Sequence, residues 1–365
     1  MQAKLTDIGV APQARPGDAL RAQPWGSRRD ALAGLLALLP ATALPGLAVA
    51  QPSPADPPKR ERLVLAGPPA TVSYPLIHMV ESGALSNLAK QVEFRRWTNP
   101  DQLRALALEG GADFIAMPTN VAANLYNRGV PLQLVNVSVW GILWLVSRNP
   151  ALKTLADLRG EEIAVPFRAD MPDIVFTFLA ERQGLDPRRD FRIRYSPTPL
   201  DAMQLLIMRR VDHALLAEPV VSMALRKTRS FPISVVAPEL HRSVDLQQEW
   251  GRVLKTQPRI PQAGMVVLGN ARQDQALVTR LEAAYVAASR WCAGSPLACG
   301  EQVAKHLDML TPQAVADSIE FLPAHYATAA QARPELETFL RLLLEKQPAM
   351  VGGKTPDAAF YGLHP

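Results

Sequence analysis

The sequence predicts an α/β protein folded as two similar lobes. Three observations carry this. From Leu63 onward, short β-type runs alternate with helical segments, the rhythm of a mostly parallel sheet. A phrase of helix, tight turn, aspartate and strand occurs twice, at Leu106–Ala116 and Leu205–Leu216, as expected of two half-sheets. After a last strand at Gly264–Leu268, the pattern is almost wholly helical.

The elements follow in order. Leu63–Ala66 is a short apolar strand ended by Gly67-Pro68-Pro69. Leu76–Leu88 reads as a helix with Leu76, Val80, Leu85 and Leu88 as its apolar positions, and Val92–Trp97 alternates as a strand. Asn99 caps the next helix with Pro100 at its first position, and Gly110-Gly111 end it. Asp113–Ala116 is a strand, Asn120–Tyr126 a helix, and Gln133–Val137 and Gly141–Ser147 are strands. Leu155–Gly160 forms a helical turn. Glu162–Val165, Phe191–Tyr195 and His213–Leu216 are strands, with Asp173–Arg182 and Leu200–Arg209 the helices between them. Helices then cover Asp274–Trp291, Cys299–Leu307, Pro312–Ile319 and Pro334–Lys346. Lobe 1 is expected over residues 61–146 plus 263–350, and lobe 2 over 147–262. The crossings fall near Val146–Pro150 and Ile260–Val266. Residues 351–365 form a tail that either packs on lobe 1 or stays loose.

The bulk numbers suit such a fold. The chain has 365 residues, 48% of them hydrophobic and 20% charged, enough for a core in each of two lobes. The formal charge is +5. No Lys/Arg run interleaves with aromatics, so nucleic-acid binding is not expected. Pro52, Pro54, Pro57 and Pro58 cluster in a segment, 51–60, that reads as a linker.

Residues 1–50 read as an export signal. Arg28 and Arg29 precede an apolar stretch from Ala31 to Leu47, and Ala48-Val49-Ala50 lead to Gln51, which places cleavage between Ala50 and Gln51. Pro40 and Pro45 interrupt the stretch, making it a poor spanning helix. The arginine pair resembles a twin-arginine signal, so both that pathway and the general one stand open. Export implies the periplasm. The two cysteines, Cys292 and Cys299, flank Gly294-Ser295-Pro296. A disulfide closing this turn is expected in an oxidising compartment. Two thiols without a nearby histidine do not make a metal site.

Several phrases resemble one family when taken in order. They are Leu106–Ala116, the crossing strand Leu143–Arg148, Thr154–Gly160 with Ile163-Ala164-Val165, Gly184-Leu185-Asp186-Pro187, and Ala217-Glu218-Pro219. They resemble the periplasmic solute-binding proteins of ABC importers, in the nitrate/sulfonate/taurine and thiamine-pyrimidine group, over about residues 62–290. The resemblance implies a type II periplasmic binding protein, with two α/β lobes joined by two crossing strands and the ligand cleft between them. It implies a small polar organic solute (sulfonate-, carboxylate- or pyrimidine-like), handed to a permease with its ATPase. No cofactor or metal is implied, and a monomer is expected. An exported sensor docking on a receptor domain is the alternative.

In open α/β sheets, ligands bind at the carboxyl ends of strands and the amino ends of the helices that follow. The loops so placed are Pro69–Tyr74, Met117–Asn120, Ser138–Trp140, Phe167–Asp173 and Glu218-Pro219. The candidate ligand-binding residues are Tyr74, Thr119, Asn120, Ser138, Trp140, Phe167, Arg168, Asp170, Met171, Asp173, Glu218 and, at the second crossing, Gln262. Each has a plainer reading. Trp140 and Tyr74 either stack on a ligand ring or pack in the core. Thr119, Asn120, Asp170 and Asp173 either meet ligand or cap helices. Family members often carry a small Gly/Ser-rich loop where this chain has Arg168, Asp170 and Asp173. A carboxylate there competes with an oxyanion for the helix N–H groups and favours a ligand with N–H donors or a heteroaromatic ring. Arg168 either binds an anionic group or pairs with Asp170.

Enzyme motifs are missing: no nucleophile elbow, phosphate-cradling loop with Lys, or HExxH helix occurs. The same fold hosts cytosolic enzymes; resemblance to the thiamine-pyrimidine synthase among them would call for a cysteine-rich motif and an active-site histidine that this chain lacks, so an enzyme is not expected and an enzyme on the same fold is the remoter alternative.

Overall fold

The computed structural model describes residues 59–236, 239–323 and 325–363. The expected signal segment, its exit at Ala50–Gln51 and nearly all of the 51–60 linker lie outside the described residues.

The first half of the chain forms β1 (Arg60–Gly67), α1 (Tyr74–Glu81), β2 (Ala89–Arg96), α2 (Pro100–Leu108), β3 (Phe114–Pro118), α3 (Thr119–Asn127), β4 (Leu132–Leu134) and β5 (Asn136–Val137). Then come β6 (Leu143–Ser147), β7 (Glu162–Pro166), α4 (Met171–Arg182), β8 (Arg192–Ser196), α5 (Pro199–Ile207), β9 (His213–Ala217), α6 (Val220–Arg229), α7 (Ile233–Val236), β10 (His241–Asp245) and α8 (Leu246–Leu254). The chain ends with β11 (Ala263–Leu268), α9 (Gln275–Gly294), α10 (Pro296–His306), α11 (Pro312–Ile319), β12 (Ala327–Thr328) and α12 (Ala329–Lys346).

Two five-stranded sheets result, ordered β2-β1-β3-β11-β4 and β10-β6-β9-β7-β8. Read from opposite edges, the orders match: β1, β2 and β3 correspond to β7, β8 and β9. Within each trio the pairing is parallel. Strands β11 and β6 pair antiparallel with their neighbours. Each sheet is therefore mixed, where the rhythm of the sequence suggests mostly parallel pairing. The antiparallel strand in each is the one that enters from the other sheet.

That detail moves the first crossing. Strand β6 lies wholly in the second sheet, paired with β9 and β10. The chain thus passes over at residues 138–142, not at Val146–Pro150. An apolar run carries no sign of which sheet it joins. The return passage, 255–262, lies alongside. Ile260 N–H donates to the Trp140 carbonyl at 2.9 Å, and Gln262 N–H to that of Val139 at 2.9 Å. Close approach here requires glycine: a Cβ on Gly264 would collide with the Asn136 carbonyl.

The inner strands of the first sheet, β1, β3 and β11, are largely buried on both faces, while the edge strand β2 is not. Leu63, Leu65 and Phe114 pack with Leu76, Met79 and Leu281 on the α1/α9 side. Val64, Ala66 and Ile115 pack with Leu103 and Ala122 on the α2/α3 side. Asn99 caps α2 through its side chain, as its sequence implies, and Pro100 occupies the first turn. Thr154 and Asp157 form a reciprocal capping box on a one-turn helix at Leu155–Leu158.

The C-terminal helices reach both halves. Phe339 of α12 packs edge-on against Trp250 of α8, with centroids 5.8 Å apart. Asp317 of α11 holds Arg226 of α6, and Glu181 of α4 holds Lys346 of α12. Cys292 and Cys299 are joined by a disulfide across the α9–α10 turn, with Cα atoms 5.1 Å apart. The tail packs through residue 363: Phe360 is fully buried, its ring 5.2 Å from that of Tyr126. No helix of the described residues is long and apolar enough to cross a membrane.

Candidate functional site

The carboxyl ends of β1, β2, β3, β7, β8 and β9 converge on a cleft of about 260 Å³ between the two sheets. Its walls come from both halves. Pro68, Pro69, Thr71, Trp97, Leu103 and Met117 face it from the first, and Pro166, Phe167, Met171, Pro199 and Leu200 from the second. The floor is the pair of crossings, through Val139, Ile142 and Gln262.

The helix N-termini at the cleft are built in an unusual way. Pro100, Pro172 and Pro199 sit in the first turns of α2, α4 and α5, and Pro118 and Pro219 precede α3 and α6. Proline has no N–H to offer. Of the N–H groups that remain, several are already taken by side chains. Asn99 accepts from Asp101 and Gln102, Asp170 from Met171 at 2.7 Å, and Thr198 from Asp201 at 3.2 Å. Among the described residues no Arg, Lys or His lines this cleft, and Asp170 is its one charged group. The polar groups on offer are threonine hydroxyls, the Asp170 carboxylate, and the amides of Asn99 and Gln262, whose oxygens are already engaged. The Thr71 hydroxyl is buried without a hydrogen-bond partner.

Of the residues singled out in the sequence, Phe167, Asp170, Met171 and Gln262 line the cleft. The Gln262 amide oxygen also accepts from Ile142 N–H at 3.1 Å, tying the crossings together. The others are engaged elsewhere. Tyr74 is core, its hydroxyl 3.1 Å from Ser318 Oγ, and burial raises its pKa. Thr119 donates to the Pro261 carbonyl at 2.6 Å. Ser138 meets the Tyr285 hydroxyl at 2.8 Å. Trp140 is fully buried, donating to the Val137 carbonyl at 3.0 Å and packing edge-on against His325. Asp173 accepts from Ala169 N–H at 2.8 Å and closes its own helix turn. Burial raises the Asp173 pKa, against that hydrogen bond and one from Tyr195. Glu218 has no exposed side-chain surface and is paired with Arg242 at 2.6 Å. Arg168 and Asn120 border a neighbouring compartment instead of the cleft.

The physical reason is common to these displaced residues. Each stands near a strand end, but the strands end at different depths, and side chains pointing back toward the sheet become core. Conversely, Trp97, Thr98, Asn99, Thr198, Pro199 and Leu200 line the cleft, although the sequence marks Trp97, Asn99 and Leu200 only as a strand end, a helix cap and a helix start. The strand-end rule, applied to β2 and β8 as to β1 and β7, finds them. Met309 and Leu310, from the α10–α11 turn, carry no such signal.

Two α/β halves with matching topology, tied by paired crossings and facing each other across a cleft, define a two-lobed solute-binding protein. The sequence of residues 74–315 matches the family model described as ABC transporter, phosphonate, periplasmic substrate-binding protein, and the chain belongs to this family of ABC-importer binding proteins. Solved structures agree on the fold. An ABC transporter from Parabacteroides distasonis is 25% identical, with 82% of this chain and 98% of that one covered at a TM-score of 0.67. The aliphatic sulphonate binding protein SsuA from Escherichia coli is 16% identical, with 80% and 94% covered at 0.62. The nitrate-binding protein NrtA from Synechocystis PCC 6803 is 14% identical, with 80% and 82% covered at 0.62. A comparison with curated proteins gives no match.

Proposed function

We propose that this substrate-binding protein takes a compact, ring-bearing solute carrying N–H donors, and passes it to an inner-membrane permease driven by an ATPase. Of the sulfonate-, carboxylate- and pyrimidine-like solutes considered from the sequence, the pyrimidine-like class fits the cleft best. The observation that carries this is the cleft's lining. It is apolar on both walls, holds no cation among the described residues, and presents prolines or capped N–H groups at its helix ends. A nitrate or sulfonate entering it loses its hydration without a cationic partner and meets Asp170 as the one charged group, a cost of several kcal/mol. A flat heterocycle keeps its ring against Trp97, Phe167 and Met171 and gives a hydrogen to Asp170.

Such a ligand touches both halves at once, and so favours the arrangement in which the halves approach. The paired crossings, linked through Val139, Ile260 and Gln262, form the hinge between them.

The test is thermal unfolding of the ligand-stripped protein against nitrate, methanesulfonate, taurine, benzoate, hydroxymethylpyrimidine, hydroxyethylthiazole and indole. A ring ligand at 100 times its Kd adds about 2.7 kcal/mol of stability. Stabilisation by nitrate or methanesulfonate, with none from the uncharged rings, would sink the proposal.

A further inference from the structure

Beside the apolar cleft lies a second, more open compartment of about 560 Å³ with a mixed polar and apolar lining. The two share Pro100, Val121, Phe167 and Asp170 as lining, so they adjoin. Arg104, Arg128 and Arg168 line the second compartment, together with Asn120. We propose that it holds the charged end of the ligand whose ring fills the cleft: an anionic group at the arginines, with an amino or N–H group at Asp170 and Asn120. The proposal rests on the ring-binding reading above and extends it to the rest of the solute.

Four observations support this. The Arg128 guanidinium has no side-chain partner among the described residues. Arg168 lies over the Tyr195 ring at 5.2 Å and donates no hydrogen bond to a carboxylate among the described residues. Its neighbours Phe167 and Ala169 both have left-handed backbone, with φ of 56° and 57°, a conformation that residues with a side chain avoid unless held there. Finally, Asn120 is 2% exposed, and its side-chain oxygen has no hydrogen-bond partner. A buried acceptor left unpaired is costly, and a ligand N–H arriving there removes the cost.

The four groups divide by chemistry. Arginine forks suit a carboxylate, phosphonate or sulfonate, whereas Asp170 and the Asn120 oxygen accept hydrogens. Arg104 is partly committed to Asp101 at 3.0 Å, so Arg128 and Arg168 are the principal anion ligands. Together with the apolar cleft, the arrangement describes a zwitterion with an aromatic or apolar body.

Three probes with one body separate the parts: L-phenylalanine, 2-phenylethylamine and 3-phenylpropionate, with the matching indolyl series. Titration calorimetry is run on the wild-type chain and on the Arg128→Ala/Arg168→Ala variant. Both arginines are exposed, so the variant folds, and its circular dichroism checks this. The expected result is a loss of at least tenfold in affinity for the amino acid and the propionate, with the amine unchanged. Equal affinities of the variant and wild type for all probes overturn the second compartment and leave the cleft reading standing. Failure of every probe to bind wild type, in both series, overturns the charged-end compartment, while the cleft reading is decided by the heterocycle panel above.

Discussion

Glu218 stands in a phrase, Ala217-Glu218-Pro219, that marks it as a ligand residue in the sequence; the structure makes it a brace. Its carboxylate accepts from Ser222 N–H at 3.1 Å and Ser222 Oγ at 2.8 Å, and from Arg242 Nη2 at 2.6 Å and Nε at 3.2 Å. The Glu218 side chain is 0% exposed and that of Arg242 15%. Replacement by Ala strands the guanidinium and frees the N–H of Ser222 at the start of α6. Breaking a buried pair from one side costs about 3–5 kcal/mol. Arg242 retains its bond to Ser222 Oγ at 2.9 Å and its place over the Phe321 ring, 3.5 Å from the centroid. These contacts and its residual exposure put the expected loss at the low end, about 3 kcal/mol. Because the cost arises from a stranded charge, Glu218→Leu combined with Arg242→Met should recover most of it. Urea unfolding followed by tryptophan fluorescence measures all three proteins, with the slope as a check on compactness. A single-variant loss under about 1 kcal/mol would refute the argument, as would lost ligand binding with stability intact.

Other expectations follow from the same contacts. Trp140→Ala removes a fully buried ring and should cost about 3–5 kcal/mol, read by the same unfolding assay. Asp173 is held above the ordinary carboxylate range by burial, so the folded state binds its proton more tightly than the unfolded state. Its contribution is therefore least unfavourable below the usual carboxylate pKa and worsens as pH rises through the folded value. Asp173→Asn should flatten this fall in a series of unfolding curves from acid to neutral pH. Reduction of the Cys292–Cys299 disulfide opens a short loop and should lower stability by about 2–3 kcal/mol, seen as a lower Tm in dithiothreitol without loss of the α/β circular dichroism.

Much of the fold was legible in the chain. The strands around Leu63–Ala66, Glu162–Val165 and His213–Leu216 and the Asn99-Pro100 helix start all lie where the sequence puts them. These features are local: apolar periodicity, a capping side chain and a proline at a first turn act over a few residues, so a window of sequence contains their cause. Strand β10 had no such signature, and helix α8, although Asp245 caps it, is not among the elements expected from the sequence. His241–Asp245 is short and polar, and becomes a strand because the edge of β6 is there to pair with it.

The site was decided at longer range. The loops that border the cleft were named from the strand-end rule, because that rule depends only on the order of elements. Which side chain in a loop faces the cleft depends on how far each strand extends and on what lies behind it. Trp140 turned inward to His325, and Glu218 to Arg242, a residue far along the chain that no local pattern connects to it. The absence of cations from the cleft, among the described residues, is likewise a tertiary fact: Arg168 lies two residues from Asp170, yet only Asp170 reaches the cleft, while both border the second compartment. Sequence determined most of the elements, their order and the two-lobed class, since those follow from short-range chemistry repeated along the chain. Tertiary packing alone decided which side chains line the cleft, since that requires two distant walls to be brought face to face.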